Sequence, residues 1–111
     1  FDISFLRCIP NMVIMTPSNE NIAWKMLNTG FDHQGPASIR YPRGSGPGSQ
    51  VEKDDATLQL GKSTLIKSSG DKKISIMNFG STLKLASEIA DDFLRLSCIF
   101  CGFAVISLPR I

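Results

Sequence analysis

The sequence predicts an α/β fold, with the end of one parallel-sheet unit followed by the start of a second α/β unit. Three observations carry this. An apolar run at residues 12–15 is followed by a helix-period segment and then by a second short extended run. A stretch rich in Gly, Pro and Ser interrupts the pattern at residues 44–57. Beyond it, two strand-like runs and another amphipathic segment begin a new pattern. The composition fits a folded chain: of 111 residues, 42% are hydrophobic and 20% charged. That balance lies far from the polar, highly charged signature of disorder.

Met12–Met15 in "NMVIMTPS" is apolar on both faces and ends at Thr16-Pro17. A strand of this kind belongs inside a parallel sheet, covered on both sides. Ser18 is expected to cap the following helix through its hydroxyl, with Glu20 favoured at the positive end of the dipole. Ile22, Ala23, Met26 and Leu27 share a helical face. Gly30 is expected to end the helix in a left-handed conformation. "ASIRY", residues 37–41, is a second strand. Strand, helix and strand make a right-handed βαβ crossover. Ligands of such sheets bind beyond the carboxyl ends of the strands, and Arg43 lies just past the second one.

Residues 45–57 read as a solvated linker. "GKSTLIK" and "KISIMNF" are expected to pair as an antiparallel hairpin through the turn signal "SSGD". Gly80-Ser81-Thr82 opens a helix whose buried face comprises Leu83, Ala86, Ile89, Ala90 and Phe93. No internal repeat stands out.

The bulk numbers narrow the functional classes. A formal net charge of +2 gives no footprint for nucleic acid or an anionic membrane surface. The longest uncharged run, Leu96–Pro109, is shorter than the roughly 20 apolar residues of a membrane span. The chain opens on Phe1 with no signal-peptide pattern, which reads as an internal fragment. Three cysteines, Cys8, Cys98 and Cys101, lack framework spacing, so a reduced, cytoplasmic setting is expected.

Several short motifs have bland readings. "GKST" at 61–64 is the tail of a P-loop pattern, but the required upstream glycine is Ala56, and the segment enters a strand. Cys98 and Cys101 form a lone C-x-x-C, short of the four ligands of a structural zinc site, and read as small apolar residues. His33, the single histidine, sits in a polar loop and reads as a surface residue. Trp24 and Met26 read as packing residues. Arg40 and Arg43 are three apart, so in extended chain they point to opposite faces. One can face a ligand while the other makes a structural pair. The planar fork of arginine suits phosphate. On pattern alone, Arg43 is either an anion ligand or a surface charge.

Three longer segments decide more. "FDISFLRCIPNMVIMTPSNEN", "GPASIRYPRG" and "ISIMNFGSTLKLASEIA" resemble the 1-deoxy-D-xylulose-5-phosphate synthases, thiamine-diphosphate enzymes of the transketolase type. The resemblance spans about residues 1–93. Transketolases and pyruvate dehydrogenase β-subunits share the fold and are the nearest rivals. The family joins pyruvate to D-glyceraldehyde 3-phosphate with loss of CO2, feeding isoprenoid, thiamine and pyridoxal synthesis. The resemblance implies that residues 1–44 close the pyrimidine-binding domain, that 45–57 link, and that 58–93 open the transketolase C-terminal-like domain. It implies thiamine diphosphate, Mg2+ and a homodimer in the full-length family, located in the cytoplasm or, for a plant-type source, the plastid. It also implies that Arg43, the second arginine of "RYPRG", contacts the aldehyde substrate's phosphate; Arg40 receives no catalytic role.

The departures are specific. The family's Gly-Asp-Gly metal and diphosphate motif is not in this chain, so no cofactor-binding, metal-binding or catalytic residue is carried over. Residues 94–111 diverge from the family. The isolated chain is expected to be inactive. A non-catalytic gene remnant or interaction module, or a piece of another transketolase-family enzyme, is the alternative.

Overall fold

The computed structural model describes residues 1–68, 74–93, 98–103 and 105–107. The elements in chain order are α1 (Asp2–Leu6), β1 (Val13–Met15), α2 (Glu20–Asp32), β2 (Ala37–Ile39), β3 (Ser63–Ser68) and β4 (Ile74–Phe79). A 3-10 turn (Gly80–Thr82) then leads into α3 (Leu83–Phe93), β5 (Cys98–Phe103) and β6 (Val105–Ser107).

The first sheet has the order β2-β1-β6. β1 and β2 pair in parallel, Val13 opposite Ala37 and Met15 opposite Ile39, with α2 as the crossover. Backbone bonds from Val13 N to Pro36 O (3.0 Å) and from Arg40 N to Met15 O (2.8 Å) frame this ladder. β6 lies antiparallel on the other side of β1. As the central strand β1 pairs along both edges, and its successive side chains are covered on both faces, which the uninterrupted apolar run suits. Val13, Ile14 and Met15 are all buried. Val13, Met15 and Met26 of α2 form a core against which Ile22, Ile39, Leu58 and Leu60 pack.

Helix α2 corrects two expectations. Its cap is Asn19 rather than Ser18: the Asn19 side-chain carbonyl accepts the Ile22 N–H at 2.9 Å. Asn, Asp and Ser are comparable caps, so local chemistry does not separate neighbours; the extended backbone at Asn19 does. Gly30 does not end the helix, which continues to Asp32 and is capped by His33 in extended conformation. A Cβ on Gly30 would lie 3.3 Å from Met15 Cε and 3.5 Å from the Ala37 Cβ. Gly30 therefore lets the helix approach the sheet closely. Of the expected apolar face, Met26 is fully buried whereas Leu27 is exposed.

The second sheet has the order β3-β5-β4. The expected β3–β4 hairpin does not form. β5 lies between them, antiparallel to β3 and parallel to β4. The turn signal at residues 69–71 lies outside the described residues, as do residues 94–97 and 108–111 of the divergent tail. α3 buries Ala86 and Ala90 against Ile76 and Leu83, while Ile89 of the expected face is exposed. Lys67 of β3 pairs with Asp91 of α3 at 2.5 Å.

Candidate functional site: the loop that carries Arg43

The parallel pair brings three chain segments to one end of the sheet. β1 ends at Met15, α2 starts at Glu20, and β2 ends at Ile39. Parallel strands put both carboxyl ends on the same side, and the crossover helix begins there. Arg40 and Arg43 leave β2 at this end.

The two arginines have different surroundings. The Arg40 guanidinium donates through Nε to the carboxylate of Asp2 in α1. That hydrogen bond, with the Arg40 charge, holds the Asp2 carboxyl below its ordinary value. Arg40 thus makes the structural pair. Arg43 is exposed and, among the described residues, has neither an ion pair nor a hydrogen bond. The regular strand ends at Ile39, so strict alternation does not extend to Arg43.

The loop after Arg43 is folded around a carboxylate. Glu20 accepts the Gly48 N–H at 2.9 Å through Oε1 and the Ser49 N–H at 3.0 Å through Oε2. Its own backbone N–H and those of Gly48 and Ser49 hold the Glu20 carboxyl below the usual range. A Cβ added to Gly46 would overlap the Glu20 carboxylate. Gly48 has φ +78°, a conformation that glycine adopts without strain. The glycines of "GSGPGS" thus serve a close approach and a turn.

Further along, the segment read as a linker is tied to α2 by a stripe of polar side chains. Asn21 accepts the Glu52 N–H at 3.0 Å. The Trp24 indole donates to the Asp54 carbonyl at 2.9 Å, and Asn28 donates to the same carbonyl at 2.8 Å. Lys25 pairs with Glu52 at 3.4 Å and Asp54 at 3.8 Å. Residues 21, 24, 25, 28 and 29 fall on one face at helical spacing. That periodic polar stripe was the available signal; the Glu20 contact had none, because nothing in the linear sequence pairs residue 20 with residues 46–49.

The remaining candidates are not gathered here. His33 lies at the other end of α2, its Nε2 3.0 Å from the Asn11 carbonyl oxygen. An open cleft of about 410 Å³ at that end is lined by Thr29, Asp32, His33, Gln34, Thr57 and Leu58 among others. Lys62 precedes strand β3, so "GKST" enters a strand rather than the helix a P-loop requires. Cys98 and Cys101 belong to strand β5, not to the helix N-terminus of a thioredoxin-like motif. Cys8 is an exposed free thiol. Among the described residues no group of three or more His, Cys, Asp or Glu is placed to hold a metal ion. No described helix is long and apolar enough to cross a membrane.

Comparison with known proteins adds the deciding observation. The chain is 50% identical over 93 residues, 84% of its length, to a 1-deoxy-D-xylulose-5-phosphate synthase of Francisella philomiragia. It is 52% identical over 91 residues, 82% of its length, to the synthase of Photobacterium profundum, and 50% identical over 92 residues, 83% of its length, to that of Vibrio campbellii. The chain matches a segment of the 1-deoxy-D-xylulose-5-phosphate synthases. It spans about 15% of the length of the first of these curated relatives and about 14% of the other two. No family model matches it. The resemblance read from "LRCIPNMVIMTPS" and "RYPRG" therefore stands, and the parallel β1–β2 pair is compatible with a transketolase-like segment.

Proposed function

We propose that this chain is part of a 1-deoxy-D-xylulose-5-phosphate synthase, in which Arg43 binds the phosphate of D-glyceraldehyde 3-phosphate. The observation that carries the reading is the identity of about one residue in two, over more than four-fifths of the chain, to synthases of that name. In the whole enzyme, pyruvate and D-glyceraldehyde 3-phosphate are joined with loss of CO2. Thiamine diphosphate with Mg2+ supplies the chemistry at the pyruvate carbonyl. The sequence carries no Gly-Asp-Gly motif. We assign none of this chain's residues to that cofactor, and the chain by itself is inactive.

Arg43 has the attributes its role needs. It stands beyond the carboxyl end of a parallel strand, where sheet ligands bind. Its guanidinium is exposed, with no partner among the described residues, whereas Arg40 is committed to Asp2. A guanidinium donates two parallel hydrogen bonds to a phosphate. Holding that remote group restricts the acceptor aldehyde to a reactive position. The whole enzyme works as a homodimer in the cytoplasm or plastid, without nucleic acid or membrane.

The test is Arg43→Ala in a full-length synthase carrying this segment. Charge-assisted hydrogen bonds contribute about 1.5–3 kcal/mol, so KM for D-glyceraldehyde 3-phosphate should rise roughly 10- to 150-fold. An unchanged dependence on that substrate overturns the assignment.

A further inference from the structure

We infer that Glu20 is a positioning residue for Arg43: its carboxylate fixes the loop on which the phosphate ligand is carried. The inference rests on the role proposed for Arg43 and adds the device that aims it.

Arg43 lies between two anchors. On one side, the Arg40 N–H donates to the Met15 carbonyl at 2.8 Å, the last bond of the β1–β2 ladder. On the other, Gly46 passes against the Glu20 carboxylate, and Gly48 and Ser49 donate their N–H groups to its two oxygens. Only residues 41–45 are left between the anchors. An exposed side chain on a free glycine-rich loop samples many directions, and ordering it on binding weakens affinity. With both ends of a five-residue span held, much of that ordering is present before the substrate arrives.

The residue types fit this job. Glu20 is in the first turn of α2, a rigid element whose start is capped by Asn19. A carboxylate offers two acceptor oxygens, and here each takes one loop N–H. A Cβ at position 46 would displace the Glu20 carboxylate from its place beside the loop, and the sequence has glycine there. A negative charge on the helix start also keeps that end of the dipole from competing with Arg43 for anions.

The experiment compares two acceptors, D-glyceraldehyde 3-phosphate and D-glyceraldehyde, in a full-length synthase carrying this segment. The readout is the ratio of their kcat/KM values, which isolates the phosphate contribution. Glu20→Ala should lower this preference roughly tenfold, mostly through KM for the phosphorylated acceptor. Glu20→Gln keeps one acceptor oxygen and should restore part of it. Gly46→Ala wedges a methyl group against the carboxylate and should lower the preference too, which covers the case of an unfolded Glu20→Ala protein. In an Arg43→Ala background, Glu20→Ala should have no further effect on the preference, because both act through one guanidinium.

If Arg43→Ala lowers the preference but neither Glu20→Ala nor Gly46→Ala does, the positioning role is wrong and the phosphate role of Arg43 survives. If Glu20→Ala lowers kcat/KM equally for both acceptors, its role is structural only, and the inference fails. If Arg43→Ala leaves the preference unchanged, the phosphate role fails and takes the inference with it.

Discussion

Leu58 donates its backbone N–H to the hydroxyl of Thr29 across 2.8 Å. The same hydroxyl donates to the Lys25 carbonyl at 2.7 Å, so one buried Thr is satisfied in both directions. The bond marks where the chain leaving Arg43 has run the length of α2. From Glu20 at the first turn to Thr29 near the last, helix side chains hold residues 48–58 by their backbone. A run of Gly, Pro, Ser and charged residues lies here as a strap along the helix. Its free N–H and C=O groups find partners on the helix, and Leu58 and Leu60 add apolar anchoring on the Val13–Met15–Met26 core.

Thr29→Val keeps the shape of the side chain and removes the acceptor. The Leu58 N–H then loses its partner in a partly buried place. The expected local cost is about 1–2 kcal/mol. Hydrogen exchange in a full-length synthase carrying this segment should show the Leu58 amide losing protection by roughly 5- to 30-fold, with residues of α3 unaffected. Uniform loss across the protein would mean that the strap is not an independent unit.

The strap should also loosen in acid. The folded Glu20 carboxyl lies below its ordinary value, because its own N–H and those of Gly48 and Ser49 favour the ionised form. A depressed folded value means that the contribution is present above the unfolded pKa, about 4.3 for a glutamate, and is lost as pH falls through the folded one. The Asp2–Arg40 pair follows the same sign, with the Arg40 hydrogen bond as its main cause. Exchange at Gly48 and Ser49, normalised for intrinsic rates, should be protected near neutral pH and deprotected below the ordinary carboxylate range. Glu20→Gln should abolish that dependence; an identical pH profile in the variant and the parent would assign it elsewhere.

The chain on its own should not melt cooperatively. Among the described residues each sheet has only three strands, in the orders β2-β1-β6 and β3-β5-β4. Phe1, Phe5, Phe31, Met77 and Leu85 are exposed. Large exposed apolar groups favour association over a stable monomer. Circular dichroism of the isolated chain should show a broad thermal transition, and size-exclusion chromatography should show self-association. A sharp transition of a monomer would contradict this.

Sequence alone determined the features that depend on near neighbours. The continuous apolar run at 12–15 specified a strand covered on both faces, and the structure makes it the centre of its sheet. The helical period after it and the short apolar run at 37–39 specified the parallel crossover. Helical spacing at Leu83, Ala86 and Ala90 marked α3. The same local strings carried the family likeness. What tertiary structure decided was every relation between distant residues. β3 and β4 looked like a hairpin because they are adjacent in sequence, but strand pairing is set by long-range contacts, and β5 takes the place between them. Gly30 looked like a helix end because glycine disfavours helices by about 1 kcal/mol relative to alanine; the close approach to Met15 and Ala37 holds it inside one. Residues 45–57 read as solvated and are mostly exposed, and side chains up to 31 positions away hold several of their backbone polar groups. Composition describes what a segment can bury; only the fold determines which partners its backbone meets.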